Sequence, residues 1–372
     1  MVETLKICFM PWMVADPGTL AQLERSFSRL RRLDTLLLSS ALELETTELC
    51  TLLSIVTRGL QASPLDATVQ PRGLHTLDTF KLPYNLLEDL LISQPSIETW
   101  SMRGLNGGGP FCGLARDMLP KLKFLQGNAN HVAEIMRTRD IPSARMEMSR
   151  VSTEALGKSL ALRHNTLTSL TLSRDYIDTF RPWTRTSDVL KLAAESYPNL
   201  EELIVYDQYL RSCHAPELEN LINIGIVDTS EFFWDAFSKF QELKTFLLCP
   251  LSEMNGNNES EDVKDSFWWI LWNPEGVELD SSQLASRFMM ARPSLRCVGV
   301  PENGTSSHSI VIYSRPDTNQ LRTTLEKEVT VHRDPLTNDL RLFGEPRSME
   351  VKSLLDTMYA DVRGYGRPVD DY

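Results

Sequence analysis

Tyr197-Pro198-Asn199-Leu200-Glu201-Glu202-Leu203-Ile204-Val205 carries three structural signals in immediate succession. Pro198 cannot continue a helix, and it biases Tyr197 toward extended geometry. Leu203 and Val205 lie two apart, the period of a strand with one buried face. Leu200, three residues before Leu203, fits the bend that leads into that strand. The stretch reads as a helix end, a tight turn and a short strand.

The same phrase recurs, and repetition is what decides the architecture. Its apolar positions return as Val2-Leu5-Ile7, Leu33-Leu36-Leu38, Leu77-Phe80-Leu82, Ile97-Trp100-Met102, Leu167-Leu170-Leu172, Leu243-Phe246-Leu248 and Leu295-Val298-Val300. Leu122-Leu125 has Gly127 in the third place, and a degenerate copy can be placed around Met146 and Met148. In four copies a proline stands two residues ahead of the first apolar position, at Pro95, Pro120, Pro198 and Pro293. Helix signals fill the spaces between. Asp16-Pro17 precedes Leu20, Leu23, Phe27 and Leu30 at helical spacing. Asp228 with Glu231, and Asp280 with Gln283, have the spacing of capping boxes, each followed by an apolar stripe. A further helix is expected over 187–197.

From Leu33 onward the copies are separated by 44, 20, 25, 45, 33, 43 and 52 residues. Leucine-rich repeats run at roughly 20–29 residues each, so the array is irregular. The interval of 45 divides in two if the copy near Met146 is real. The acidic run Ser252–Asp265, read as a solvated loop, accounts for much of the last one. The expected fold class is therefore α/β: an irregular leucine-rich-repeat-like solenoid over residues 1–315, a right-handed curved array of short parallel strands and helices. A conventional α/β sheet with shuffled strand order is the alternative. After Arg315 the phrase stops. Ser309–Tyr313 and Glu328–His332 read as strands and 348–362 as a helix. Residues 316–363 are thus expected to cap the open end of the array, and 364–372 to form a disordered tail.

Composition narrows the function. Against 38 Lys plus Arg stand 50 Asp plus Glu, a net charge of −12. That argues against a general binder of nucleic acid or of anionic membranes, both of which need positive surface. No apolar run is long enough to span a bilayer. Met1–Ala15 lacks a basic leader and is interrupted by Lys6, so a signal peptide is not expected. The six cysteines are scattered without a C-x-x-C pair, which reads as buried thiols in a reducing compartment. A cytoplasmic or nuclear location is expected.

The residues that could carry chemistry do not assemble into a site. The glycine run Asn106–Gly113 is not followed by Lys-Ser or Lys-Thr, so it reads as a loop and not a phosphate cradle. The histidines fall in separate segments, there is no G-x-S-x-G elbow, and Cys213-His214 are too close in sequence to converge easily on one metal. Trp268, Trp269 and Trp272 beside Phe267 are either core or a binding hot spot. No catalytic residue, cofactor or metal is expected.

Tyr197–Val205 and Arg292-Pro293-Ser294-Leu295-Arg296-Cys297-Val298-Gly299-Val300 resemble the P-x-L-x-x-L-x-L repeats of F-box and leucine-rich-repeat proteins. The irregular spacing is closest to the large fungal set of that family. The resemblance implies a curved solenoid that captures a protein target. It also implies an F-box near the amino terminus that docks on the linker subunit of a cullin-type ubiquitin ligase. This chain departs from that plan, because strand-like phrases begin at Val2. The nearest match to an F-box opening, Leu82-Pro83-Tyr84-Asn85-Leu86-Leu87-Glu88-Asp89-Leu90-Leu91, runs straight into the repeat at Gln94-Pro95-Ser96-Ile97 and reads as an inter-repeat helix. The linker is an expected partner only if an F-box exists upstream.

In a solenoid the variable positions beside the buried apolar ones point to the concave face. Those positions include Lys81, Thr99, Ser101, Arg103, Thr171, Ser173, Glu202, Ile204, Tyr206 and Thr245, and their mix of apolar, hydroxyl and charged groups suits a protein surface. Replacing Ile204 and Tyr206 together by Asp is then expected to abolish partner capture and leave the fold intact. The leading expectation is a non-catalytic, protein-binding solenoid similar to the target-recognition part of an F-box receptor. A stand-alone scaffold is the first alternative. The second is an α/β enzyme with a deep pocket at the strand carboxy ends.

Overall fold

A computed structural model describes residues 3–10, 12–15, 17–30, 33–40, 44–61, 73–104, 114–115, 117–148, 166–174, 186–207, 230–249, 279–302, 309–315, 325–333 and 340–364. Asn106–Gly113, Cys213-His214, Ser252–Asp265, the Trp268-Trp269-Trp272 cluster and the tail beyond 364 lie outside them, as do Val2, Asp16 and Asp228. The fold is α/β, its strands mostly parallel, in two compact units, Met1–Glu147 and Met148–Tyr372.

The first unit alternates β1 (Thr4–Phe9), α1 (Trp12–Ala15), α2 (Pro17–Phe27), β2 (Thr35–Ser40), α3 (Thr46–Gln61) and β3 (Thr76–Phe80). It continues with α4 (Glu88–Ser93), β4 (Thr99–Arg103), β5 (Phe124–Asn128), α5 (Ala129–Met136) and β6 (Ser143–Glu147). Its strands are parallel and pair in chain order. The register aligns Leu5, Leu36, Leu77, Trp100, Leu125 and Ala144 in one row, the middle position of the repeated phrase. From Leu36 to Ala144 that row is at most 1% exposed. The stretch Leu82–Leu91 is the expected inter-repeat element, a 3-10 turn at Tyr84–Leu86 followed by α4, with Leu87, Leu90 and Leu91 buried.

The second unit repeats the alternation through β7 (Ser169–Arg174), α6 (Thr186–Ser196), β8 (Glu202–Asp207), α7 (Ser230–Ser238), β9 (Thr245–Cys249), α8 (Ser281–Ala291) and β10 (Cys297–Pro301). These strands are parallel, with Leu170, Leu203, Phe246 and Val298 in line. Phe237 of α7 and Phe288 of α8 lie 4.7 and 4.8 Å from the Phe246 ring, which identifies that row as the helix-packed face. Then the direction changes. β11 (Ser309–Ser314), β12 (Glu326–Arg333) and β13 (Leu340–Phe343) add antiparallel, before α9 (Met349–Gly364).

One hydrogen-bond device recurs where strands begin. The Glu3 carbonyl accepts from the amides of both Asp34 and Thr35, at 2.8 and 3.0 Å. Asp34, His75 and Glu98 do the same for the following pairs in the first unit, as do Thr168, Glu201 and Lys244 in the second. Two successive donors are thus satisfied at each of these seven entries, and the preceding apolar residue (Leu33, Leu74, Ile97, Leu122, Leu200, Leu243 or Leu295) is at most 6% exposed beneath the bend. The Asp280–Gln283 capping box is formed, with the Gln283 amide donating to Asp280 at 2.7 Å and the Asp280 amide to Gln283 at 2.9 Å.

Two copies of the phrase sit elsewhere than expected. Leu77 pairs with Leu36 and Trp100, so the third copy is Leu74-Leu77-Thr79 and not Leu77-Phe80-Leu82. Thr79 tolerates a site 1% exposed because its hydroxyl donates to the Ser101 carbonyl at 3.0 Å, so the position needs no apolar residue. The degenerate copy is real, but centred on Ile141-Ala144-Met146, with Ala144 beside Leu125 and Met146 beside Gly127. A Cβ on Gly127 would stand 3.0 Å from the Met102 carbonyl oxygen, which accounts for glycine in that row.

Candidate interaction faces

Side chains alternate across a strand, so the row beside the buried one lines the opposite face. In the first unit the register sets Lys6, Leu37, Asp78, Ser101, Gln126 and Arg145 side by side there. Two residues further along, Cys8, Ser39, Phe80 and Arg103 form a second row, and Asn128 aligns with Glu147. This polar face includes three of the expected residues, Thr99, Ser101 and Arg103.

Its centre is an ion pair. Arg103 Nε donates to Asp78 Oδ1 at 3.1 Å and Nη2 to Oδ2, with 18% and 14% of the two side chains exposed. Burial pushes the Asp78 carboxyl up, while the Arg103 guanidinium and Lys6 pull against that shift. Beside the pair, Gln126 Nε2 donates to Glu147 Oε1 at 3.1 Å. Ser101 is 8% exposed, and its buried hydroxyl has no hydrogen-bond partner among the described residues. Donors, acceptors and the partly buried rings of Phe80 and Phe124 therefore alternate over neighbouring strands.

Lys81 does not belong to either row. It follows β3 with φ of +56°, its amide donates to the Arg103 carbonyl at 2.8 Å, and its ammonium lies 4.9 Å from the Phe80 ring centroid. The displaced third copy explains the misplacement, because the shift by three residues hid Asp78 and selected Lys81. Lys6, Gln126 and Glu147 were also missed, and each could have been found by alternation from Leu5, Leu125 and Met146; Arg145 stands in the same row but is 1% exposed.

The second unit disposes of its candidates differently. Thr171, Ser173 and Thr245 are at most 5% exposed, and Ser169 Oγ donates to Glu202 Oε1 at 2.7 Å. Ile204 and Tyr206, at 0% and 6%, belong to a core with Leu247, Ile310, Ile312 and Val329. Val351, Leu354, Leu355 and Met358 of α9 complete it. The face expected to be open to a partner is covered by the chain's own last described helix, so neither residue is surface, and an Asp at either would strike the fold itself.

α9 is held at its start. The Glu328 carboxylate accepts from the amides of Arg347 and Ser348 at 2.8 and 3.1 Å, and Ser348 Oγ accepts from Val351 at 3.2 Å. Burial works to raise the Glu328 carboxyl, but hydrogen bonds from Ser314, Ser348 and Arg347 outweigh it and hold it below the usual glutamate range. Arg296 pairs with Glu350 at 3.6 Å. The Cys297 thiol beneath is pushed well up, first by burial and then by Glu328, Glu350 and Glu202, which suits an unreactive core residue.

A groove of about 460 Å³ lies among Ala194, Glu195, Pro198, Ser238, Lys239, Gln241 and Arg292. These residues end α6 and α7 or lead into β8, β9 and β10, so the groove is at the strand amino ends, opposite to where the enzyme alternative expects a pocket. Arg292 fastens it, donating to the Ser238 and Gln241 carbonyls at 2.8 Å each. Arg315 repeats the arrangement on the carbonyls of Pro293 and Met289. Among the described residues no group of three His, Cys, Asp or Glu side chains could hold a metal ion, and no helix is long and apolar enough to cross a membrane. Comparison of the sequence with protein-family models and with curated proteins finds no match.

Proposed function

We propose that this chain is an irregular repeat solenoid that acts without catalysis and binds a protein target across the polar face of its first unit. In this role it is similar to the target-recognition part of an F-box-type ubiquitin-ligase receptor. The observation that carries the reading is the face on which Asp78–Arg103, Ser101 and Gln126–Glu147 stand over consecutive strands beside Phe80 and Phe124. Paired charges, a spare hydroxyl and aromatic rings together match the chemistry of a protein interface better than that of a nucleotide or metal site. Chain-order parallel pairing over β1 to β6 and over β7 to β10, with the recurring strand entry, supports the solenoid.

The test is affinity purification of the tagged full-length chain from its own cells, with mass spectrometry of what accompanies it. A polar-face variant, Lys6→Glu with Phe80→Ala, is expected to lose the specific partner. Ile92→Glu, on an exposed position of α4, is expected to keep it. Retention by both variants overturns the assignment of the face. Recovery of the cullin-ligase linker places the protein among ligase receptors, and specific partners without the linker make it a stand-alone scaffold.

A further inference from the structure

Two non-glycine residues among those described hold a left-handed backbone, Leu119 at φ +51° and Lys81 at φ +56°. Leu119 is 1% exposed, and the packing of its side chain compensates the strain. Lys81 buries no such side chain; it stands partly exposed just past the end of β3. Glycine takes this backbone without strain, and Gly104 does so at φ +70°, following Arg103 as Lys81 follows Phe80. A lysine is thus kept where the backbone favours glycine, and its side chain has a seat. The ammonium lies 4.9 Å from the Phe80 ring centroid. A Cβ on Gly104 would stand 2.8 Å from Phe80 Cε2 and 3.1 Å from Lys81 Cγ, so the glycine leaves the room in which ring and lysine stem lie. The charge around them is unbalanced. Over β1 to β4 the charged groups of this face and its rim are Lys6, Asp78, Lys81 and Arg103. Asp78 is taken up by the Arg103 fork, and no carboxylate among the described residues forms an ion pair with Lys6 or Lys81. In a chain of net charge −12 the rim is locally positive.

We propose that Lys81, seated on Phe80 beside Gly104, anchors a site for a short acidic segment of the protein target, with Lys6 meeting a second carboxylate across the face. The proposal rests on the polar-face reading above and adds the chemistry of the partner. A preorganised ammonium gives up little side-chain freedom on pairing, which suits it to select a carboxylate and to reject a cation or an apolar group. A nucleic-acid strand fits these groups less well. The guanidinium fork that would grip a phosphate is already on Asp78, and a long polyanion meets the repulsion of the acidic chain along its whole length. A segment with a few carboxylates needs only the two free ammonium groups.

The test is fluorescence polarisation of the full-length chain at low ionic strength, where screening is weak. The probe is a fluorescein-labelled peptide alternating Glu and Ser, and its control carries Gln in place of Glu. The wild-type chain is expected to bind the Glu peptide and to release it as salt is added. Lys81→Gly should weaken binding by about threefold to fivefold, the effect of one exposed ion pair. Its urea midpoint should stay level or rise, because glycine releases the backbone strain. Affinity and stability thus move apart, which a merely structural lysine would not produce. Lys81→Arg keeps the charge and should keep the affinity. Lys352→Gln removes one charge from an exposed position of α9 and should change nothing. Any of three results overturns the proposal. The Glu and Gln peptides bind equally; or Lys81→Gly binds the Glu peptide as wild type does; or a fluorescein-labelled oligo-dT binds tighter than the Glu peptide, which would make the cations a phosphate site. Partner capture separates this proposal from the reading beneath it. If Lys81→Gly captures the partner that Lys6→Glu with Phe80→Ala loses, the anchor falls and the polar face stands. If every variant captures it, the polar face itself falls.

Discussion

Arg103 on β4 grips Asp78 on the neighbouring β3 through two donors, and both side chains are largely withdrawn from water. Removing one partner strands a buried charge, which costs about 3–5 kcal/mol, whereas replacing both by apolar groups of similar size is often neutral. Asp78→Ala and Arg103→Ala are each expected to lower the urea midpoint sharply. Asp78→Leu with Arg103→Met should recover most of that loss. A double variant as unstable as the sum of the singles would mean that the pair does not share one energetic unit.

His131 supplies a pH dependence. It lies on α5 at 7% exposure, its ring 5.8 Å from that of Tyr84, and burial holds its imidazole below the ordinary histidine range. The unfolded chain takes up a proton near pH ~6.5 that the folded chain refuses. Stability is therefore full above that value and declines as the pH falls toward the lower folded pKa. Urea midpoints of wild type and His131→Gln at pH 7.5 and pH 5.5 should converge at the acid end. Parallel pH dependence in the two proteins would exclude His131 as the source.

Ile204 tests the covered face. A carboxylate there would stand among the apolar side chains of that core, so Ile204→Asp is expected to cost more than about 4 kcal/mol and to unfold the second unit. Ile204→Val removes one methyl group and should cost about 0.5–1.5 kcal/mol. Circular dichroism and thermal melts distinguish the two. A folded Ile204→Asp chain with wild-type melting would place this residue at the surface.

Arg292 ties successive helix-end turns by donating to two carbonyls. Charged hydrogen bonds contribute about 1.5–3 kcal/mol each at most, and this side chain is partly solvated, so Arg292→Ala is expected to cost about 2 kcal/mol. Lysine cannot reproduce the planar fork, and Arg292→Lys should recover only part of the loss. Equal stability of Lys and Arg at this position, measured by urea unfolding, would reduce the fork to a simple charge effect.

Much of the architecture was legible because it is local. The P-x-L-x-x-L-x-L phrase sets which residues bend, which bury and which alternate, and the Asp280–Gln283 capping box needs only four residues to declare itself. The slip at Leu77 shows where local reading fails. An apolar triple happens to overlap the true one, and Thr79 is buried through a hydrogen bond to a neighbouring strand that no local rule supplies. With that register lost, Asp78 could not be seen as the partner of Arg103.

The sequence by itself determined the alternation of helix and strand, the repeat that orders them, and the presence of a last helix over about 348–362. Only the tertiary structure decided what covers each face. Alternation places Ile204 and Tyr206 together on one side of β8, but burial is a property of what packs against that side. Here it is a helix about 150 residues further along the chain, brought back by the antiparallel turn of β11 to β13 and clipped by Glu328. In the first unit the same face carries Asp78, Ser101 and Arg103 instead.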